Sequence, residues 1–193
     1  MVSPEEVLAF WLDDCEPADW YRSDPAFDAQ IKEKFHSTWV QATQGALGLW
    51  LTYPSGCLAY IILTDQFPRN MFRDSPDAFY TDDVARAAAK IAIDRKWDMK
   101  IDEPARQFFY LPLMHAENLC DQDRAVRLIH TRMPETGASS RDHACAHRAV
   151  IRDYGRFPYR NDALGRKTTP AEQAFLDAGG YGAAIRAQLE TAQ

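Results

Sequence analysis

Apolar residues at Phe27, Ile31, Phe35, Trp39 and Ala42, spaced by four, four, four and three, constrain this chain more than any other feature. That interval keeps five side chains on one face of an α-helix, whereas a half-buried strand would repeat every second residue. No stretch alternates in the strand manner, and no Asn-Gly or Asp-Gly hairpin turn occurs.

Helix signals recur from end to end. Ser3-Pro4-Glu5-Glu6 is a capping box with proline at the first helical position, backed by Val7, Leu8, Phe10, Trp11 and Leu12. Asp24-Pro25 opens the helix that carries Phe27. A third helix follows Pro54-Ser55-Gly56, runs through Leu58, Ile61, Ile62 and Leu63, and is expected to stop before Pro68. Being apolar nearly all round, it should be the central one. Residues 83 to 96, with Val84, Ala88, Ile91 and Ala92, suit a helix capped by Asp82. Further helices are expected over 103 to 111, broken at Pro112, over 120 to 132, and over 140 to 154, the last ending at Gly155 in the C′ position. Thr169-Pro170-Ala171-Glu172 is a second capping box, opening the helix of Phe175 and Leu176 that stops at Gly179-Gly180. The fold class is all-α, with roughly eight helices joined by short loops.

A length of 193 residues fits one domain, 1–193, and 46% hydrophobic with 26% charged residues is a core-forming mixture rather than a disordered one. Four of the five tryptophans, Trp11, Trp20, Trp39 and Trp50, fall in the first fifty residues, so the first helices should be the best packed. Cys15, Cys57, Cys120 and Cys145 form no CxxC and read as reduced core residues. An acidic start and a longest apolar run of only Cys57 to Leu63 predict a soluble cytoplasmic protein without a membrane span. The net charge of −6 argues against general nucleic-acid binding. It is unevenly placed: residues 1 to 30 hold eight acids against Arg22 alone, while 141 to 166 hold six arginines against three aspartates. Six arginines in one stretch can grip a single small anion.

One short pattern occurs twice. Asp65-Gln66-Phe67-Pro68-Arg69-Asn70 and Gly155-Arg156-Phe157-Pro158-Tyr159-Arg160-Asn161 both read Phe-Pro, then Arg-Asn, at an expected helix exit. Proline stops the helix, phenylalanine plugs the core, and Arg-Asn can bond carbonyls orphaned at the helix end. The competing reading makes the two corners one cleft in which guanidinium groups face a ligand anion.

DQFPRN at 65 to 70, FFYLPLMHAEN at 108 to 118 with Gln122 after it, and AHRAVIRDYGRFPYRNDALGRKTTPAE at 146 to 172 resemble the bacterial domain-of-unknown-function family 924. The opening VLAFWL, Trp20 and Phe27-Asp28 are similar too. The resemblance implies a tetratricopeptide-like α-α superhelix and no particular function. The chain departs from the pattern at Ala116, usually serine, and Tyr159, usually histidine.

Asp65 extends the apolar stripe of the third helix and so needs a cationic partner, for which Arg156 or Arg160 is the expectation. His147 falls on the buried stripe of the long helix with Ala144, Ile151 and Tyr154. His143 and His147 share a helical face, but the glutamate of a zinc-protease motif is missing, so no metal and no cofactor is expected. The leading reading is a polar cleft that binds a small anion, with Asp65, Gln66, Arg69, Asn70, Gln122, Arg156, Arg160, Asn161 and Arg166 as ligand-binding residues. His115 or His147 beside Glu117 would supply a general base if a reaction occurs, which leaves enzyme activity open. The alternatives are a helical-repeat module holding a peptide in a concave groove, and a polar network that is purely structural.

Overall fold

Ser3 opens the first helix as its capping box requires: its side chain accepts from the Glu6 N–H, and the Glu6 carboxylate accepts from the Ser3 N–H at 2.7 Å. In the computed structural model, which describes residues 2–191, every regular element among those residues is helical. No helix among them is long and apolar enough to cross a membrane. The chain divides after Pro112 into two compact units, each described by itself.

In the first unit, α1 (Pro4–Leu8) continues through a π-helical turn, Ala9–Asp13, and is followed by α2 (Pro25–Thr43) and α3 (Pro54–Ile61). A second π-helical turn, Ile62–Gln66, joins α3 to α4 (Phe67–Met71), and α5 (Asp82–Asp94) follows. Helix α3 packs against α1 and α5, and α2 against α4. Phe27, Ile31, Phe35, Trp39 and Ala42 are all buried, as their spacing predicts, and so are Trp11, Trp20 and Trp50. The rings of Phe10, Trp11, Phe35 and Phe67 form one aromatic core, closed by the Trp20 indole, which donates to the Trp11 carbonyl at 2.7 Å.

Pro68 does not end the third helix. The Phe67 N–H reaches back five residues to the Ile62 carbonyl, and the chain stays helical to Met71. Proline brings no N–H to the carbonyl four residues earlier, that of Thr64. The Thr81 hydroxyl donates to that carbonyl instead, at 2.6 Å, while accepting from the Trp39 indole N–H at 3.2 Å. The Arg69 guanidinium likewise donates to the Asp65 carbonyl. Because its hydroxyl is engaged there, Thr81 sits at the N-cap of α5 without capping it, and Asp82, expected as the cap, is the first helical residue.

In the second unit, α7 (Leu119–Arg132) and α8 (Ala138–Tyr154) pack together, and α9 (Pro170–Asp177) leads to α10 (Gly180–Thr191), which lies on α8. Gly155 ends α8 at φ 71°, a left-handed conformation that glycine adopts without a Cβ penalty. Thr169 and Glu172 form the expected second capping box. Val150, Ile151 and Phe157 form one cluster of its core, with Tyr154, Phe175 and Ala184 against it.

Other expectations change. Residues 105–109 form a 3-10 turn, and Pro112 lies inside a short helix, α6 (Leu111–Met114), rather than breaking one. Of the four cysteines, Cys15 and Cys57 are buried, but Cys145 is half-buried and Cys120 exposed. Helix α10 lies beyond the last helix that the sequence pattern suggested.

Candidate functional site

The first unit's polar residues bond both within their own helix and to neighbouring ones. Asp65, four residues before Arg69, is fully buried; its Oδ2 accepts from Gln66 Nε2 at 2.5 Å, and its Oδ1 lies 3.4 Å from Arg69 Nη1. Arg69 also reaches Asp82 at 2.9 Å, joining the end of the central helix to the start of α5. Asn70 donates to Asp28 Oδ1 on α2 at 2.8 Å, beside the Arg73 guanidinium on the same carboxylate. The cation found beside Asp65 is thus Arg69 of its own helix.

The second unit holds the rest. Arg156 forks onto Glu172, Nε to Oε1 at 2.5 Å and Nη2 to Oε2 at 2.8 Å. That fork, with the Thr169 N–H on the same carboxylate, holds the Glu172 carboxyl down to about 2. Glu117 accepts from the Phe157 N–H at 2.8 Å and from both Arg166 terminal nitrogens at 2.6 and 3.0 Å. Burial alone would raise the Glu117 carboxyl, but these bonds outweigh it and hold it low. Arg166 is fully engaged, since its Nε donates to Asn161 Oδ1 at 3.0 Å and its Nη2 also reaches the Phe157 carbonyl. The Asn161 amide donates to Thr168 and Glu172. Gln122, fully buried, donates to the carbonyls of Met114 and Ala116 at 2.6 and 2.8 Å and so clasps the loop that carries His115 and Glu117.

His115, His143, His147, Tyr159, Tyr181 and Arg160 gather in one place. The His147 ring lies 6.2 Å from His115, 5.3 Å from Phe157 and 4.5 Å from Tyr181, and Tyr159 stands 5.9 Å from Tyr181. His143 Nδ1 and the Tyr181 hydroxyl share a hydrogen bond of 2.6 Å. The Arg160 guanidinium, on a residue only 7% exposed, packs 4.5 Å over the Phe157 ring. His147 Nδ1 lies 2.9 Å from the His143 carbonyl, which only accepts, so Nδ1 carries the proton. In the neutral ring Nε2 is then a bare acceptor. Burial chiefly, then the neighbouring His115, Arg160 and His143, push the His147 imidazole down to about 3, against the bond to the His143 carbonyl. Among the described residues no group of three His, Cys, Asp or Glu side chains is arranged to hold a metal ion.

This environment has a direct test. A depressed imidazole stays neutral while the unfolded ring takes a proton near 6.5, so acidification below that value stabilises the unfolded state progressively, down to about 3. In an NMR titration of the ring protons, His147 is expected to show no midpoint above about pH 4, whereas a midpoint near the usual 6.5 would contradict the arrangement.

Tyr159, Tyr181 and His143 are the members that sequence patterning did not place in the site. Their signal is weak: His143 shares a helical face with His147, but Tyr181 follows a glycine pair that reads only as a helix stop.

The fold and site define a helical protein whose second unit concentrates basic and aromatic side chains around one half-buried imidazole. Residues 7–180 match the family described as bacterial protein of unknown function (DUF924), and the chain belongs to that family. It is similar to a solved structure described as a protein of unknown function, ATU0120, from Agrobacterium tumefaciens. The two share 38% identity and a TM-score of 0.84, over 90% of this chain and 96% of that one. None of the curated proteins matches the chain.

Proposed function

We propose that the second unit binds a small oxyanion bearing an O–H group, held by Arg160 and His147. One observation carries this reading: basic side chains gather at the His147 ring, which lies 6.2 Å from the His115 ring and 5.3 Å from the Phe157 ring that the Arg160 guanidinium covers at 4.5 Å. A basic surround attracts an anion, and the bare Nε2 of His147 accepts a hydrogen bond from a ligand hydroxyl or protonated oxyanion. Glu117 is committed to Arg166 and Phe157, and an imidazole depressed to about 3 is a weak base. The arrangement therefore supports binding more than catalysis.

Inorganic phosphate is the probe, titrated at constant ionic strength against a chloride control and followed through the imidazole resonances. Saturable shifts are expected at His115 and His147. Arg160→Met is expected to weaken binding about tenfold or more, the worth of a charge-assisted hydrogen bond. Arg156→Met, whose guanidinium is held by Glu172, should leave it intact. Shifts that never saturate, or that Arg160→Met leaves unchanged, sink the reading.

A second reading, the tetratricopeptide-like module that holds a peptide, is favoured by an apolar groove of about 420 Å³ along α8, α9 and α10. It is lined by Val150, Tyr154, Phe175, Ala183 and Ala184.

A further inference from the structure

Helix α5 buries Ile93 and four of its alanines but leaves two larger aliphatic side chains in solvent. Ala85, Ala88, Ala89 and Ala92 face the core at 5% exposure or less, while the larger Val84 and Ile91 stand 44% and 51% exposed. The exposed Ala87 lies between them, at helical intervals of three and four. These three residues form one outward stripe. On one flank of it lie Asp83 and Lys90, seven residues apart. Asp83 keeps 85% of its side chain exposed even while it holds Arg86 at 2.8 Å.

We propose that this stripe is where a second copy of the chain docks, the two α5 helices running antiparallel across a two-fold axis at Ala87. The order of charges selects that arrangement. Asp83 and Val84 precede Ala87 by four and three residues, and Lys90 and Ile91 follow it by three and four. Antiparallel pairing therefore sets the turn bearing Asp83 and Val84 level with the turn of the other copy bearing Lys90 and Ile91. Aliphatic side chains meet along the stripe, and opposite charges meet on its flank, twice by symmetry. Parallel pairing would instead carry the charged flanks of the two copies to opposite sides of the interface, where Asp83 and Lys90 would meet no opposite charge. Alanine at the axis lets the helices approach to the close end of the usual range, about 8 Å. One helix face is small beside a standard interface of roughly 800 Å² per partner, so the dimer is a weak one.

Sedimentation equilibrium of the full chain, from about 10 μM to about 1 mM, tests this at concentrations suited to a small interface. A monomer–dimer equilibrium is expected. Ala87→Glu should raise the dissociation constant at least about a hundredfold, because it buries two like charges at the axis. Asp83→Lys and Lys90→Asp should each raise it by about threefold to tenfold, and the double variant should recover most of that loss. All three positions lie on the outer side of α5, and unchanged helical circular dichroism shows that the variants fold. A wild-type chain monomeric throughout, an assembly larger than two, association indifferent to Ala87→Glu, or a double variant no better than the singles overturns the proposal.

Discussion

Replacing Phe67 by alanine is expected to lower the unfolding free energy by about 3–5 kcal/mol, the usual cost of truncating a fully buried aromatic ring. The ring has no exposed surface, and its centroid lies 4.5 Å from Phe35, 5.3 Å from Trp11 and 6.2 Å from Phe10. Those neighbours come from α2 and from the π-helical turn that follows α1, so the vacated space is walled by two segments besides its own helix and cannot close by the shift of one. A typical domain has only about 5–15 kcal/mol to lose. Urea unfolding followed by tryptophan fluorescence measures the change, since Trp11 lies against the cavity. Phe67→Leu, which keeps most of the volume, should lose less than half as much. A loss under about 1 kcal/mol for the alanine variant would show that the aromatic core relaxes around the gap, contrary to a close-packed interior.

The second Phe-Pro corner shows what the repeated pattern does and does not specify. Phe157 is as buried as Phe67, so both phenylalanines plug a core as their place beside proline suggests. The residues after them diverge. Arg69 turns back to the Asp65 carbonyl of its own helix, and Asn70 reaches Asp28, whereas Arg160 lies over the Phe157 ring and Asn161 bonds Thr168 and Glu172. Identical dipeptides meet different partners: the arginines each find one within a turn, at Asp65 and at Phe157, and the asparagines find theirs farther along the chain, at Asp28 and Glu172.

That distinction marks how far sequence reading reaches. The stripe of α2, the capping boxes at Ser3 and Thr169 and the glycine exit at Gly155 depend on residues within a turn or two of each other, and all appear as expected. Glu117 and Arg166 lie 49 residues apart, and Arg156 and Glu172 lie 16 apart; nothing in local spacing says which arginine a given carboxylate will find. His147 was legible as a polar residue on a buried stripe, and His115 only through the family resemblance. The hydroxyl of Tyr181 on His143 was not, because it depends on how α10 lies on α8. The outward face of α5 escaped for a related reason: Val84, Ala88, Ile91 and Ala92 are all apolar at helical intervals, and only packing decides that the alanines go inward.

Pro68 is the clearest case of a local rule overridden at a distance, and it gives the second large expected effect. Thr81→Val keeps the shape of the side chain and removes only its hydroxyl, on a residue 3% exposed. The Trp39 indole N–H and the Thr64 carbonyl, both in the interior, then lose the partner they share. Each buried group left unpaired costs about 1–3 kcal/mol, so for the two a destabilisation of about 2–6 kcal/mol is expected although no cavity is made. Thr81→Ser keeps the hydroxyl and loses one methyl, at about 1 kcal/mol, so serine should be clearly the better tolerated. If the hydroxyl serves the carbonyl that proline leaves without a backbone donor, restoring that donor should relieve the dependence. In a Pro68→Ala background the alanine N–H can bond Thr64, and Thr81→Val should cost about 1 kcal/mol less than in the native chain. Equal costs in the two backgrounds would separate Thr81 from Pro68, and a valine variant as stable as the native chain would remove the hydroxyl from the stability of the central helix altogether.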